Sequence, residues 1–135
     1  MTGAECKRRI FIVDDERELT DSLAAIFLQH GYDVRVAGSA EEAIETIAAW
    51  QPDLALVDVA LPGMNGIDLA MAIRTAQPNC RLLLISGQEN THERLAEAAR
   101  KGNLFEFLAK PVHPLFMLDY VASRLEPRPP RKLAD

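Results

Sequence analysis

Residues 11–18 read FIVDDERE, an apolar run that passes directly into adjacent carboxylates. A short stretch rich in Phe, Ile and Val suits a strand buried on both faces. The acids that end it, Asp14, Asp15 and Glu16, repel one another unless a positive charge compensates them. Two arrangements relieve the crowding: the strand reaches solvent and a helix begins, or the acids share a cation.

The pattern recurs along the chain. Residues 9–14 (RIFIVD), 33–37 (DVRVA), 54–59 (LALVDV), 81–86 (RLLLIS) and 105–110 (FEFLAK) are strand-like, and a helical pattern follows each. The first helix places Leu19, Leu23, Ile26 and Phe27 on one stripe and stops at Gly31. Ser39 is set to cap the second, Glu42 to complete a capping box, and Ala40, Ala43, Ile44 and Ile47 to form its apolar face. Trp50, at its end, is expected on the surface or at the core edge. Gly66 leads into a third helix ending before Pro78, and Asn90 or Thr91 caps a fourth. Pro114 suits the first turn of a fifth, with Leu118, Val121, Ala122 and Leu125 on its stripe. Alternating strands and helices imply right-handed crossovers and a parallel sheet covered on both faces. Five such units predict an α/β fold: a flavodoxin-like doubly wound sheet of order 2-1-3-4-5 with five helices, binding outside the carboxyl ends of its strands.

Composition bounds the function classes. With 135 residues, 48% of them hydrophobic and 26% charged, the chain is expected to be one globular domain. A net charge of -5 argues against nucleic-acid binding, because phosphate contacts need a basic face. No apolar h-region follows the N-terminus and no apolar run has bilayer length, so no membrane partner and a cytoplasmic location are expected. Cys6 and Cys80 lack disulfide or metal spacing, and Cys80 reads as a buried structural thiol. His30, His92 and His113 share no spacing that suggests a metal or a general base. Residues 8–125 read as the domain, and 126–135 (EPRPPRKLAD) as a proline-rich basic tail or linker.

In the expected topology the polar residues at the strand ends meet on one rim. Asp14 and Asp15 follow the first strand, Asp58 lies near the end of the third, Ser86 ends the fourth, and Lys110 ends the fifth before Pro111. The Lys110 ammonium and a divalent cation are the two candidate compensators for three carboxylates. An oxygen-only site that keeps water ligands suits Mg²⁺. A carboxylate nucleophile at Asp58 attacking phosphorus would give an acyl phosphate. Mg²⁺ and Lys110 would neutralise the phosphoryl oxygens, with the Ser86 hydroxyl donating to one of them.

The ordered set VDDE (13–16), DVALPGMNG (58–66), ISG (85–87) and FLAKP (107–111) resembles the receiver domains of two-component response regulators. The likeness covers about residues 8–125, and its strength lies in the set rather than in any one motif. It implies that Asp58 is the phosphoacceptor and that Asp14, Asp15, Asp58 and the Ala60 main-chain carbonyl hold Mg²⁺. It further implies that Ser86 closes onto the phosphoryl group and that Lys110–Pro111 is cis. Phe107 occupies the position of the aromatic switch, where Phe in place of Tyr removes the phenolic hydroxyl. Ala60 and Gln88 occupy positions that control water near the phosphoryl group. Ala60 cannot hold a water by hydrogen bonding, so slower self-dephosphorylation than in an Ala60→Asn variant is expected. The implied partners are a histidine kinase or histidine phosphotransfer protein, and a downstream effector protein or domain or a second copy of the chain. The implied signalling face runs from the fourth helix through the fifth strand to the fifth helix. One departure is Gly102, eight residues before Lys110 where the family usually has seven.

Three rival readings fit less well. A phosphorylation-independent protein-binding module on the same fold has no need of the intact acid set. A small-molecule phosphatase acting through an aspartyl phosphate commonly has a D-x-D acceptor and a cap domain. Here Val59 and Ala60 follow Asp58, and no insertion is long enough for a cap. FMN binding lacks its Ser/Thr/Gly-rich phosphate loop after the first strand. The expected activity is therefore that of a phosphoacceptor with self-dephosphorylation, not a turnover enzyme.

Overall fold

The computed structural model describes residues 7–87, 91–102 and 105–125. The expected tail at 126–135, together with Cys6, Gln88 and Asn90, lies outside them. The chain alternates throughout: β1 (Arg9–Val13), α1 (Arg17–Gln29), β2 (Asp33–Ala37), α2 (Ala40–Ala49), β3 (Leu54–Asp58), α3 (Gly66–Ala76), β4 (Arg81–Ser86), α4 (Thr91–Arg100), β5 (Glu106–Ala109) and α5 (Pro114–Arg124). All four strand pairings are parallel, and the sheet order is β2-β1-β3-β4-β5. The doubly wound order expected from the alternation is thus the observed one.

Period-two side-chain alternation sends neighbouring residues of the central strands into two separate cores. Phe11, Val13, Ala55, Val57, Leu82 and Leu84 pack on one side with Ala43 and Ile47 of α2 and Leu69, Ala70 and Ile73 of α3. Ile10, Ile12, Leu54, Leu56, Leu83 and Ile85 pack on the other with Leu23 and Phe27 of α1 and Met117 and Val121 of α5. This explains the near-continuous apolar runs of β1, β3 and β4, whose residues from Ile10 to Val13, Leu54 to Val57 and Leu82 to Ile85 are all buried. No helix among the described residues is long and apolar enough to cross a membrane.

Local signals set the helix ends. Gly31 adopts φ +91°, its N–H donates to Leu28 O, and the Tyr32 N–H donates to Phe27 O. That is a Schellman stop, closed by the edge-on contact of Phe27 with Tyr32 at 5.5 Å. At α2 the Ser39 hydroxyl accepts the Glu42 N–H at 3.2 Å. The Glu42 carboxylate returns to the Gly38 N–H at 2.7 Å, one residue earlier than a standard capping box. Asn65 caps α3 through Ile67 N–H, and the His113 ring caps α5 through Leu115 N–H, just ahead of Pro114.

Several packing expectations are corrected. Ile44 is 43% exposed, because α2 lies toward the β2 edge of the sheet and only the narrow stripe Ala40, Ala43 and Ile47 meets neighbours. Trp50 is buried rather than peripheral: its ring packs edge-on to Phe11 at 6.2 Å, with the Arg9 and Arg35 guanidinium groups over it. On α5, Met117 takes the core position expected for Ala122, which is exposed. Docking of α5 against α1 rotates the stripe toward the larger side chain. Thr20 is buried on α1 because its hydroxyl donates to Arg17 O, which satisfies it within the helix. Cys80 is a buried free thiol as expected. Burial and the nearby Asp53 charge push its pKa up to about 12 against the hydrogen bond from Ala55, leaving it unreactive.

Candidate functional site

The carboxyl ends of β1, β3, β4 and β5 meet at one rim, and Asp14 and Asp58 are buried there at 3% and 4% exposure. Each strand ends by handing its backbone to a neighbour: Val59 N–H donates to Ile85 O, and Lys110 N–H donates to Ser86 O at 2.8 Å. Gly66 lets α3 start directly against this rim. A Cβ at that position would collide with the Asp58 carbonyl oxygen and stand 2.7 Å from Val59 Cα. The Lys110–Pro111 peptide is cis.

Asp14 divides its carboxylate between two tasks. Oδ1 accepts the Glu16 N–H at 2.9 Å, turning the chain into α1. Oδ2 is buried and accepts no hydrogen bond, although the Lys110 ammonium lies 3.1 Å away as an ion-pair partner. Asp58 Oδ1 accepts the Ala60 N–H at 3.2 Å, and its Oδ2 faces Lys110 Nζ at 3.4 Å. Asp15 is exposed, and carboxylate oxygens of Asp14, Asp15 and Asp58 lie within 4.8 Å of one another. Burial pushes the Asp58 carboxyl up to about 6, and the Asp14 charge adds to it. Lys110 and the Ala60 N–H pull the other way without prevailing. Burial works against the Lys110 ammonium, but Glu16, Asp14 and Asp58 together hold its pKa above the usual lysine range.

Among the described residues, four acids at this rim thus stand around the Lys110 ammonium. A buried carboxylate oxygen that accepts no hydrogen bond, beside two further carboxylates, fits a hard divalent cation, which takes oxygen ligands and retains water. The rim is open to such ligands. A groove of about 510 Å³ runs between the start of α1 and the β5–α5 connection, and one of about 520 Å³ lies between the starts of α1 and α2.

The structure brings Asp14, Asp15, Asp58 and Lys110 together as the sequence suggested. Ser86 is buried at the end of β4, and its carbonyl ties it to Lys110. Ala60 is exposed, forms a bridge with Asn65, and contributes its N–H to Asp58. Phe107 is half-buried in β5, in register with Leu84 and outside the acid cluster. Glu16, the third of the adjacent acids, precedes α1 as its N-cap residue, and its carboxylate also reaches Lys110 Nζ at 2.8 Å. No local signal marks that contact, because the partners are 94 residues apart. The Asn65 cap had a readable signal, an Asn immediately before the helix.

The profile of the family described as the response regulator receiver domain matches residues 10–122. The chain is a response-regulator receiver domain. It is 29% identical over 119 residues to the DNA-binding response regulator MtrA of Mycolicibacterium paratuberculosis, covering 88% of this chain and 52% of that protein. The receiver domain thus spans about half the length of the curated relatives it first matches. Among solved structures it is similar to a CheY-like receiver domain protein of Methanospirillum hungatei, with TM-score 0.79 and 27% identity over 88% of this chain and 94% of that one. A Burkholderia pseudomallei response regulator, described with a phosphorylated aspartic acid, a calcium ion and citrate, shares the fold. Its TM-score is 0.73 at 24% identity, over 91% of this chain and 76% of that one.

Proposed function

We propose that this receiver domain accepts a phosphoryl group on Asp58 from a histidine kinase or histidine phosphotransfer protein. The observation that carries the reading is the buried Asp58 carboxylate, 3.4 Å from Lys110 Nζ and grouped with Asp14 and Asp15. An Asp58 oxygen bonds to phosphorus as the bond to the donor imidazole nitrogen breaks, and the electron pair leaves with that nitrogen. Asp14, Asp15, Asp58 and the Ala60 carbonyl would hold Mg²⁺, which when bound supplies positive charge for the phosphoryl oxygens. Lys110 shifts from Asp58 Oδ2 to one of those oxygens, and the Ser86 hydroxyl donates to another.

The added charge biases a two-state face built from α4, β5 and α5, with Phe107 as its half-buried aromatic. That face addresses a downstream effector or a second copy, in the cytoplasm. Residues 8–125 form the receiver, and 126–135 serve as a tail or linker toward an effector. Water eventually cleaves the acyl phosphate, so the domain resets rather than turning over a substrate.

Incubation with Mg²⁺ and phosphoramidate, read by intact mass, should add one phosphoryl group to the wild-type chain. Asp58→Asn or excess EDTA should abolish the gain. An unchanged wild-type mass, or a gain that survives Asp58→Asn, would sink this reading.

A further inference from the structure

One ammonium at the rim has three acid partners. Lys110 Nζ lies 2.8 Å from Glu16 Oε1, 3.1 Å from Asp14 Oδ2 and 3.4 Å from Asp58 Oδ2. The shortest contact goes to the acid outside the cluster of Asp14, Asp15 and Asp58. It is also the most solvated: the Glu16 side chain is 60% exposed, against 1% for Asp14 and 5% for Asp58. Both partners have fixed backbones. Glu16 is the N-cap residue of α1 with its N–H on Asp14 Oδ1, and the Lys110 N–H is held by Ser86 O. Only side-chain torsions separate the alternative pairings of Lys110.

We propose that Glu16 is a positioning residue that draws Lys110 toward the start of α1. It thereby sets how readily Lys110 yields the acid cluster to a cation and how tightly it grips a phosphoryl group. The inference rests on the phosphoacceptor reading of Asp58. In the resting site, the pull of Glu16 eases the ammonium away from the oxygens a divalent cation needs. In the phosphorylated site, the same carboxylate competes with the phosphoryl oxygens for Lys110. Removing its charge therefore acts with opposite sign in the two states. An exposed ion pair of this kind is worth a factor of about 1.4 to 5.

The test is Glu16→Gln in the full chain. Mg²⁺ affinity is measured by calorimetry, and affinity for the phosphoryl mimic beryllofluoride is measured at saturating Mg²⁺ by fluorine NMR. Mg²⁺ should bind about 1.4- to 5-fold more weakly and beryllofluoride more tightly by a similar factor. Both differences should shrink at ~1 M salt, where the screening length falls to ~3 Å. Glu18→Gln, which removes an exposed first-turn acid with no ion pair to Lys110 among the described residues, serves as the control and should change neither. Two affinities moving in the same direction, or a Glu18→Gln variant that reproduces the split, overturns the inference and leaves the Asp58 reading standing. A wild-type chain that binds no beryllofluoride overturns both.

Discussion

The two rims of the sheet treat charge in opposite ways. At the amino ends of the strands, Arg8 faces Asp53 at 3.9 Å and Arg9 faces Asp33 at 4.0 Å, with side chains 34% to 49% exposed. In these two pairs each acid has its own cation, and water screens both. At the carboxyl ends Asp14, Asp15, Glu16 and Asp58 crowd one lysine, and Asp14 and Asp58 are almost wholly withdrawn from water. Exposed, balanced pairs contribute little and demand nothing further. Buried, unbalanced carboxylates cost stability, and such groups cluster where a ligand completes the charge. The rim with the poorer electrostatics is the one that carries the proposed phosphoacceptor.

The sharpest way to break this contrast is Gly66→Ala. The added Cβ meets main-chain atoms of Asp58 and Val59, which cannot swing aside as a flexible side chain does. A loss of about 3 kcal/mol in urea unfolding is expected. A loss below about 0.5 kcal/mol would mean that the start of α3 yields freely and the carboxyl rim is not rigid.

The next effect is smaller and has the opposite sign. The folded-state pKa of Asp58 is raised to about 6 from 3.8, so the folded chain keeps this proton after the unfolded chain has lost it. Wild-type stability should therefore fall as pH rises from about 4 to about 6, then level off with respect to this group. In metal-free buffer at neutral pH, Asp58→Asn should be more stable than wild type by about 1–2 kcal/mol, and the gain should fade below the folded-state pKa. Part of the full linkage value is offset because the variant also loses the Lys110 contact. Urea midpoints measured across that window check it, and a variant less stable than wild type at neutral pH would contradict a strained acid rim.

The smallest effect belongs to the other end of the sheet. Asp33→Asn should change stability by no more than about 0.5 kcal/mol, because its contact with Arg9 is long and solvated. A larger loss would show that the amino rim holds the fold as well as decorating it.

Much of the fold was legible because each local signal agreed with the rest. The apolar runs marked the strands to within a residue at each end, and Gly31, Ser39 and Pro114 punctuated helices where they were expected. The site was legible for a different reason. In a doubly wound sheet the carboxyl strand ends share one rim, so a polar residue at the end of an apolar run already has an address. What was not legible was helix rotation and side-chain reach. Ile44 and Ala122 sit in apolar periodicities that suit burial as well as exposure, and only the neighbours of α2 and α5 turn them outward.

By itself the sequence determined that a parallel sheet forms, in what order its strands lie, and that Asp14, Asp15, Asp58, Ser86 and Lys110 stand at one edge. Apolar periodicity and crossover handedness give the parallel sheet, and the doubly wound precedent for five such units gives the order and the shared rim. Tertiary structure alone decided that Asp14 and Asp58 are buried while Asp15 is not, and that Glu16 claims the shortest contact to Lys110. Those outcomes depend on how strand ends from distant parts of the chain meet at one rim. Differences of a few tenths of an ångström, between 2.8, 3.1 and 3.4 Å, then rank the partners of a single ammonium.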